Sequence, residues 1–193
     1  MYVFSCSSSI TINPRLGNGV NNAERGPIIT SISPAFARII WSYRSPADNL
    51  VSTKALEGKP EDFFIATHFC KGNFKGNPLF HGFYDSVAPV IAEIPYDAFF
   101  IEYDDARSGS FEPWHVLKDK NAIFVAGLIS TKNPELEDHD FLKKRYEEAK
   151  AIVGDQIALS PQCGFASVEE GNCIDEETQW KKIDLLVSCS DFL

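Results

Sequence analysis

From about residue 60 onwards the chain alternates short apolar segments with segments of helical length, and this alternation restricts its possible folds. Four apolar runs are rich in β-branched and aromatic residues, which is typical of buried strands. They are Phe63–Phe69, Ala98–Tyr103, Ala122–Ile129 and Gln156–Leu159. Strands that alternate with helices in this way predict parallel βα units.

Four helix-length segments accompany these runs. They are Leu79–Ile91, Phe111–Leu117, Asp138–Val153 and Glu176–Val187. In the first, Pro89 is expected to bend the end of the helix. The third has a clear apolar stripe and stops before Gly154. The fourth carries Trp180, Ile183 and Val187 on one face, which predicts the side that packs on the strands.

The number of these units limits the architecture. An eight-stranded βα barrel needs about 250 residues, whereas this chain has 193. We therefore expect an α/β fold of TIM-barrel-type βα units that forms a partial or half barrel of about four strands. A small open α/β sheet is the alternative, and periodicity alone does not separate the two.

Residues 1–50 differ in composition from the rest of the chain. They contain four arginines, no lysine and only two acidic residues, and they are rich in Ser, Asn, Gly and Pro. No sustained period of 2 or 3.6 runs through them. We expect an irregular segment with a short apolar element at Ala35–Tyr43, followed by a structured domain over residues 51–193.

The charge of the chain excludes two kinds of partner. The formal net charge is −9 at pH 7, so the chain lacks the basic surface that binds the phosphate backbone of nucleic acids. An anionic membrane surface is excluded for the same reason. No apolar run approaches the ~18 residues that span a bilayer, and the first residues have no positively charged leader. We therefore expect a cytoplasmic protein.

The cysteines do not form the pattern of a disulfide-rich fold. There are five, an odd number, and they are widely scattered: Cys6, Cys70, Cys163, Cys173 and Cys189. In a reducing compartment such cysteines indicate metal binding, catalysis or simple burial.

Four candidate metal ligands stand where predicted strands end. His68 and Cys70 close the first strand, Glu102 closes the second, and Cys163 follows the fourth. The carboxyl ends of parallel strands lie at one edge of a sheet, where active sites are built. Zinc accepts imidazole, thiolate and carboxylate ligands in tetrahedral geometry. The sequence therefore predicts a zinc site at this edge.

Four sequence motifs in the same region point to a family. They are T-H-F-C-K-G-N, I-E-Y-D-D-A-R-S-G-S-F-E-P, A-G-L-I-S-T-K and L-S-P-Q-C-G-F-A-S. In this order they resemble the C-terminal catalytic barrel of cobalamin-independent methionine synthase, and most of all the shorter methionine-synthase-like proteins. The resemblance covers about residues 50–190, so residues 51–193 are expected to form the zinc-site half of such a barrel.

The resemblance implies a zinc held by His68, Cys70, Glu102 and Cys163, with Asp104 as a rival for the carboxylate ligand. It also implies a methyltransferase of methionine biosynthesis. Its zinc keeps the thiol of homocysteine deprotonated, and the methyl group comes from N5 of a reduced folate. The alternatives are another thiol or donor, such as coenzyme M or a corrinoid, or a zinc-binding fragment without activity.

Further positions carry weaker expectations. The larger enzymes place a histidine acid near the third strand end, where this chain has Lys132. Lys132 is therefore either an acid or a contact to an anionic substrate group. Arg107 is a candidate for binding a substrate carboxylate, and Asn73 is a candidate substrate contact that shapes the turn after the ligand pair.

Four strands alone would leave two open sheet edges. We therefore expect either capping by residues 1–50 or a partner that completes the barrel, for example a second copy in a homodimer.

Overall fold

A parallel sheet forms the centre of the protein. The computed structural model describes residues 52–78, 81–166 and 169–193, together with the backbone of residues 40–41. Its strands are β1 (Ile40–Trp41), β2 (Ala66–Phe69), β3 (Ala98–Glu102), β4 (Ile123–Ile129) and β5 (Ile157–Pro161), hydrogen-bonded in the order β1-β2-β3-β4-β5. Every pairing is parallel.

The predicted partial barrel is confirmed. Strands β2 to β5 lie within or overlap the four predicted apolar runs. β1 falls within the predicted apolar element Ala35–Tyr43, and the rest of residues 1–50 lies outside the described residues. Among the described strands β1 and β5 each pair with one neighbour only, so the sheet is open.

The helices are α1 (residues 52–56), α2 (Ala88–Ile91), α3 (His139–Val153) and α4 (Glu176–Ser188). Short 3₁₀ helices span Ala106–Ser108, Glu112–Leu117 and Cys189–Asp191. Two aspartates cap the long helices, since Asp138 accepts from the Phe141 N–H and Asp175 from the Thr178 N–H. Such caps satisfy backbone donors that have no partner within a helix. Within the described residues no helix is both long and apolar enough to cross a bilayer.

The predicted helix Leu79–Ile91 is wrong over most of its length. In the described part of this range only Ala88–Ile91 is helical, and residues 85–87 form a turn. Pro89 lies in the first turn of α2 instead of bending its end. Proline is tolerated there because the first backbone N–H groups of a helix have no intrahelical partner.

The two faces of the sheet bury different residues. One face carries the main core, in which Phe99, Phe124 and Trp114 are almost completely buried together with side chains of α3. The other face has small residues, among them Ala98 and Ala158. His68 and Glu102 lie on this second face, because side chains alternate along a strand and Ala66 and Ala98 precede them by two and four residues.

Candidate metal centre

Three of the four predicted metal ligands meet at the carboxyl edge of the sheet. His68 lies in β2, Cys70 follows β2, and Cys163 lies two residues beyond β5. One ligand atom of each lies within 4.8 Å of the others. In a flat sheet β2 and β5 would be about 14 Å apart. The curl of the sheet and the loops after the strands therefore bring these side chains together.

The donor set fits zinc. One imidazole and two thiols are the ligands that Zn²⁺ takes in tetrahedral sites, and three protein ligands leave a fourth position for a further ligand. Cys163 is buried, whereas His68 and Cys70 are half-buried. Cys163 is therefore shielded from water, whereas parts of the Cys70 and His68 side chains are exposed.

The two thiols share a proton unequally. A hydrogen bond from the Cys163 thiol lowers the pKa of Cys70 to about 5, with burial opposing this effect and His68 adding to it. The same hydrogen bond, together with burial, raises the pKa of Cys163 above its ordinary range. In the metal-free chain we therefore expect Cys70 to be the thiolate at neutral pH and Cys163 to donate the hydrogen bond to it.

This difference predicts the pH dependence of alkylation in the metal-free protein. Thiolates react with iodoacetamide and thiols do not, so the reaction of Cys70 should stay near its plateau down to about pH 5. In Cys163→Ala the donor is lost, the pKa of Cys70 rises towards its ordinary value, and alkylation at pH 6 should slow. Mass spectrometry of the alkylated peptides measures both rates.

Cys189 provides the internal control, because burial raises its pKa to about 12. It should stay unmodified in both forms at pH 6. Identical pH profiles for Cys70 in the wild-type chain and in Cys163→Ala would contradict the shared-proton arrangement.

Glu102, the fourth predicted ligand, lies beside this cluster but is held by other groups. Its side chain is fully buried, and its Oε2 accepts from the Lys71 N–H at 2.7 Å and from Gln162 Nε2 at 3.1 Å. Its Oε1 accepts from Lys132 Nζ at 2.9 Å. The carboxylate groups with Asp104 and Asp105, not with the histidine and the two cysteines.

Lys132 lies among three carboxylates. Its Nζ is 2.9 Å from Glu102, 2.8 Å from Asp104 and 3.3 Å from Asp105. Burial alone would lower the pKa of Lys132, but the charges of Asp104 and Glu102 outweigh it and raise the pKa. Burial raises the pKa of Asp104, with Lys132 opposing the shift. The ammonium thus neutralises part of a buried acidic group.

Arg107 and Asn73 lie in the same region. The Arg107 guanidinium pairs with Asp105, and its Nη2 lies 3.5 Å from Glu102. Asn73 accepts from the Gly76 N–H at 3.0 Å through its Oδ1, and its Nδ2 lies 3.3 Å from Thr131 Oγ1. Asn73 therefore shapes the turn after β2 as expected, and it also links this turn to the loop after β4.

Several residues that hold the site stand in the family motifs, but sequence reasoning assigned them no role. The buried Gln162 connects Glu102 to Thr131, whose hydroxyl donates to Gln162 Oε1 at 2.8 Å. Gly127, the register partner of Glu102, has no room for a side chain, because a Cβ there would lie 2.9 Å from the Ile101 carbonyl oxygen. Its position directly across from Glu102 in a parallel pair could be recognised only after the strand register was known.

The fold and the site together define an open, partial βα barrel with an imidazole–dithiol cluster at its carboxyl edge. No family model matches the chain. Two uncharacterized proteins of Bacillus subtilis (strain 168) do: YxjG is 44% identical over 139 residues and YxjH is 47% identical over 131 residues. These matches cover 71% and 67% of this chain, which spans only 37% and 35% of the relatives' length.

Solved structures extend the comparison. A Listeria monocytogenes protein assigned as a vitamin-B12-independent methionine synthase superposes with a TM-score of 0.56 at 32% identity, over 74% of this chain and 39% of its own. A B12-independent methionine synthase from Shewanella sp. W3-18-1, in complex with selenomethionine, gives a TM-score of 0.58 at 17% identity, over 76% and 46%. The second match shows the fold alone. The predicted resemblance to short cobalamin-independent methionine-synthase-like proteins is confirmed.

Proposed function

We propose that this chain provides the zinc site of a methyltransferase that uses a thiol as methyl acceptor, with homocysteine as the thiol and a reduced folate as the donor. One observation carries the proposal: His68, Cys70 and Cys163 come from two separate strand ends, and their ligand atoms lie within 4.8 Å of one another. The similarity to proteins described as methionine synthases supports the methyl transfer.

The residues of the site have distinct tasks in this proposal. His68, Cys70 and Cys163 would hold the metal, and Glu102 is the candidate for a fourth ligand that an incoming thiol displaces. When bound, zinc would supply the positive charge that keeps a thiol deprotonated at neutral pH. Cys70 is only half-buried, so part of its side chain is open to an approaching thiol.

The surroundings of Lys132 favour one of its two predicted roles. Its raised pKa makes the ammonium a weaker acid at neutral pH than an ordinary lysine, and an effective general acid has a pKa near the working pH. We therefore propose that Lys132 acts through its charge and not as the proton donor to N5 of the folate.

Arg107 is proposed to bind the carboxylate of the amino-acid substrate. Its Nη2 and Nε are engaged with Asp105, whereas its Nη1 is buried and has no hydrogen-bond partner in the part of the chain that the structure describes. A guanidinium forms charge-assisted hydrogen bonds with carboxylates. Asn73 is proposed to contact the substrate from the turn after β2.

One observation keeps a second candidate function open. Among the described strands β1 and β5 each pair with one neighbour only, so the described sheet has two open edges. This feature favours a zinc- and thiol-binding unit that needs further strands to bind the methyl donor. Metal binding without turnover would then be its activity in isolation.

Zinc X-ray absorption in the presence of candidate thiols tests the proposal. The zinc-loaded chain should show two sulfur ligands, from Cys70 and Cys163, and a third when homocysteine is added. Cysteine and 2-mercaptoethanesulfonate, compared at equal concentration, identify the preferred thiol. Homoserine, which has a hydroxyl in place of the thiol, is the matched control and should leave the sulfur count at two.

A sulfur count that stays at two with every thiol would contradict the proposal. A third sulfur without methyl transfer from a methylfolate would support the zinc- and thiol-binding unit instead of the complete methyltransferase.

A further inference from the structure

The carboxylate of Glu102 has both oxygens engaged. Oε2 accepts two hydrogen bonds, from the Lys71 N–H and from Gln162, and Oε1 accepts one from Lys132 with Arg107 Nη2 at 3.5 Å. A carboxylate has about four lone-pair sites. Three of these sites are taken by the hydrogen bonds, and the Arg107 guanidinium lies near the remaining one on Oε1, so a metal bound through Oε1 must compete with Lys132 or Arg107.

Lys132 is the cation that ties Glu102 to the acidic group of the site. Asp104 and Asp105, the other two acids of this group, also pair with its ammonium. Glu102 is the member of the group predicted to bind the metal with His68, Cys70 and Cys163. The ammonium side chain is only 7% exposed, so its charge is poorly screened by water.

The backbone of Lys132 is fixed from two sides. Its N–H donates to Ser130 Oγ at 3.2 Å. Gly76, in the loop after β2, packs so closely on it that a Cβ at Gly76 would lie 2.6 Å from the Lys132 carbonyl oxygen. The main chain thus fixes the point from which the Lys132 side chain reaches the acidic group, and the ion pairs hold the ammonium there.

We infer that Lys132 is a positioning residue that competes with the metal for Glu102, an inference that rests on the proposed zinc site. Two effects act in the same direction. The ammonium draws the carboxylate away from the metal, and its positive charge disfavours a divalent cation nearby. Glu102 is thereby kept a weak, displaceable ligand, so that a thiol can take the fourth position.

Zinc affinity shows whether Lys132 competes with the metal for Glu102 or supports Glu102 as a ligand. It is measured by titration against a chromophoric chelator. If Lys132 competes for Glu102, Lys132→Met should bind zinc about tenfold more tightly than the wild-type chain. Lys132→Gln, which keeps a hydrogen-bond donor without the charge, should shift the affinity in the same direction and serves where Lys132→Met folds poorly. Lys132→Arg should restore wild-type affinity.

A double variant shows whether the gain acts through Glu102. In the Glu102→Gln background, Lys132→Met should give a clearly smaller gain, because the carboxylate for which the lysine competes is absent and only the repulsion between ammonium and metal is removed. Lys59→Met is the matched control. Lys59 also pairs with a carboxylate, Asp97 at 3.1 Å, but Asp97 directly precedes β3, so this pair lies at the amino edge of the sheet, opposite the ligands. The zinc affinity of Lys59→Met should equal that of the wild type.

Cobalt(II) in place of zinc supplies a spectroscopic readout. The visible spectrum of Lys132→Met should change relative to the wild type, because Glu102 becomes a firm ligand, and added homocysteine should alter it less than it alters the wild-type spectrum. Weaker zinc binding in Lys132→Met would overturn the inference and show that the lysine supports the ligand. An equal gain in the Glu102→Gln background would also overturn it. A wild-type chain that binds no zinc would contradict the proposed function itself.

Discussion

Replacing Cys163 by serine should abolish tight zinc binding. The thiol of Cys163 lies within 4.8 Å of ligand atoms of His68 and Cys70, and a neutral hydroxyl is a far weaker ligand for zinc than a thiolate. After reconstitution and dialysis, the variant should retain roughly a tenth or less of the zinc that the wild-type chain retains. Inductively coupled plasma mass spectrometry gives the metal content per chain.

Cys189→Ser is the matched control for this experiment. Cys189 is also a buried thiol, but it follows α4 and its Sγ lies 3.3 Å from the Leu185 carbonyl oxygen. This variant should retain the full zinc content. Equal zinc contents in Cys163→Ser and the wild type would show that Cys163 is not a metal ligand. They would also contradict a metal site shared by the ends of β2 and β5.

Replacing Lys182 by methionine should destabilise the fold by about 3 kcal/mol, because breaking a buried ion pair leaves a charge uncompensated. Lys182 is fully buried in α4, and its Nζ lies 3.2 Å from both carboxylate oxygens of Glu137 and donates to the Glu135 carbonyl oxygen. Glu137 is itself only 12% exposed. Urea unfolding followed by circular dichroism measures the loss.

The neighbouring lysine provides the control. Lys181 pairs with Glu177 one turn away on the exposed side of α4, and exposed pairs of this kind contribute little to stability. Lys181→Met should leave the unfolding midpoint close to that of the wild type. Equal midpoints for Lys181→Met and Lys182→Met would contradict a structural role for the buried ion pair.

The strands and the convergence of the cysteines could be predicted from the sequence for a clear physical reason. Buried parallel strands are continuous apolar runs, and parallel strands end at one edge of their sheet. His68, Cys70 and Cys163 follow from these two rules. The metal itself and the roles of these residues stay predictions.

Helix faces were less predictable. In α4 the predicted face of Trp180, Ile183 and Val187 is wrong in part, since Trp180 is 53% and Val187 37% exposed. The buried side includes Lys182 instead. A lysine is buried only where a partner neutralises it, and here that partner is Glu137, which lies 45 residues away in sequence. Local periodicity contains no information on such a distant pair.

The surroundings of Glu102 show the same limit. Its place at the end of β3 could be predicted, but its hydrogen-bond partners come from three different loops. Lys71 follows β2, Lys132 follows β4 and Gln162 follows β5. Whether a carboxylate binds a metal or an ammonium depends on these long-range contacts, and no pattern within a single strand encodes them.

The zinc content of the full wild-type chain, combined with the number of sulfur ligands from X-ray absorption, tests the proposed metal centre most directly. One zinc per chain with two sulfur ligands and at least one nitrogen ligand is the expected result, since His68, Cys70 and Cys163 meet within 4.8 Å. A chain that retains no zinc after reconstitution, or binds zinc without sulfur ligands, would contradict the proposal.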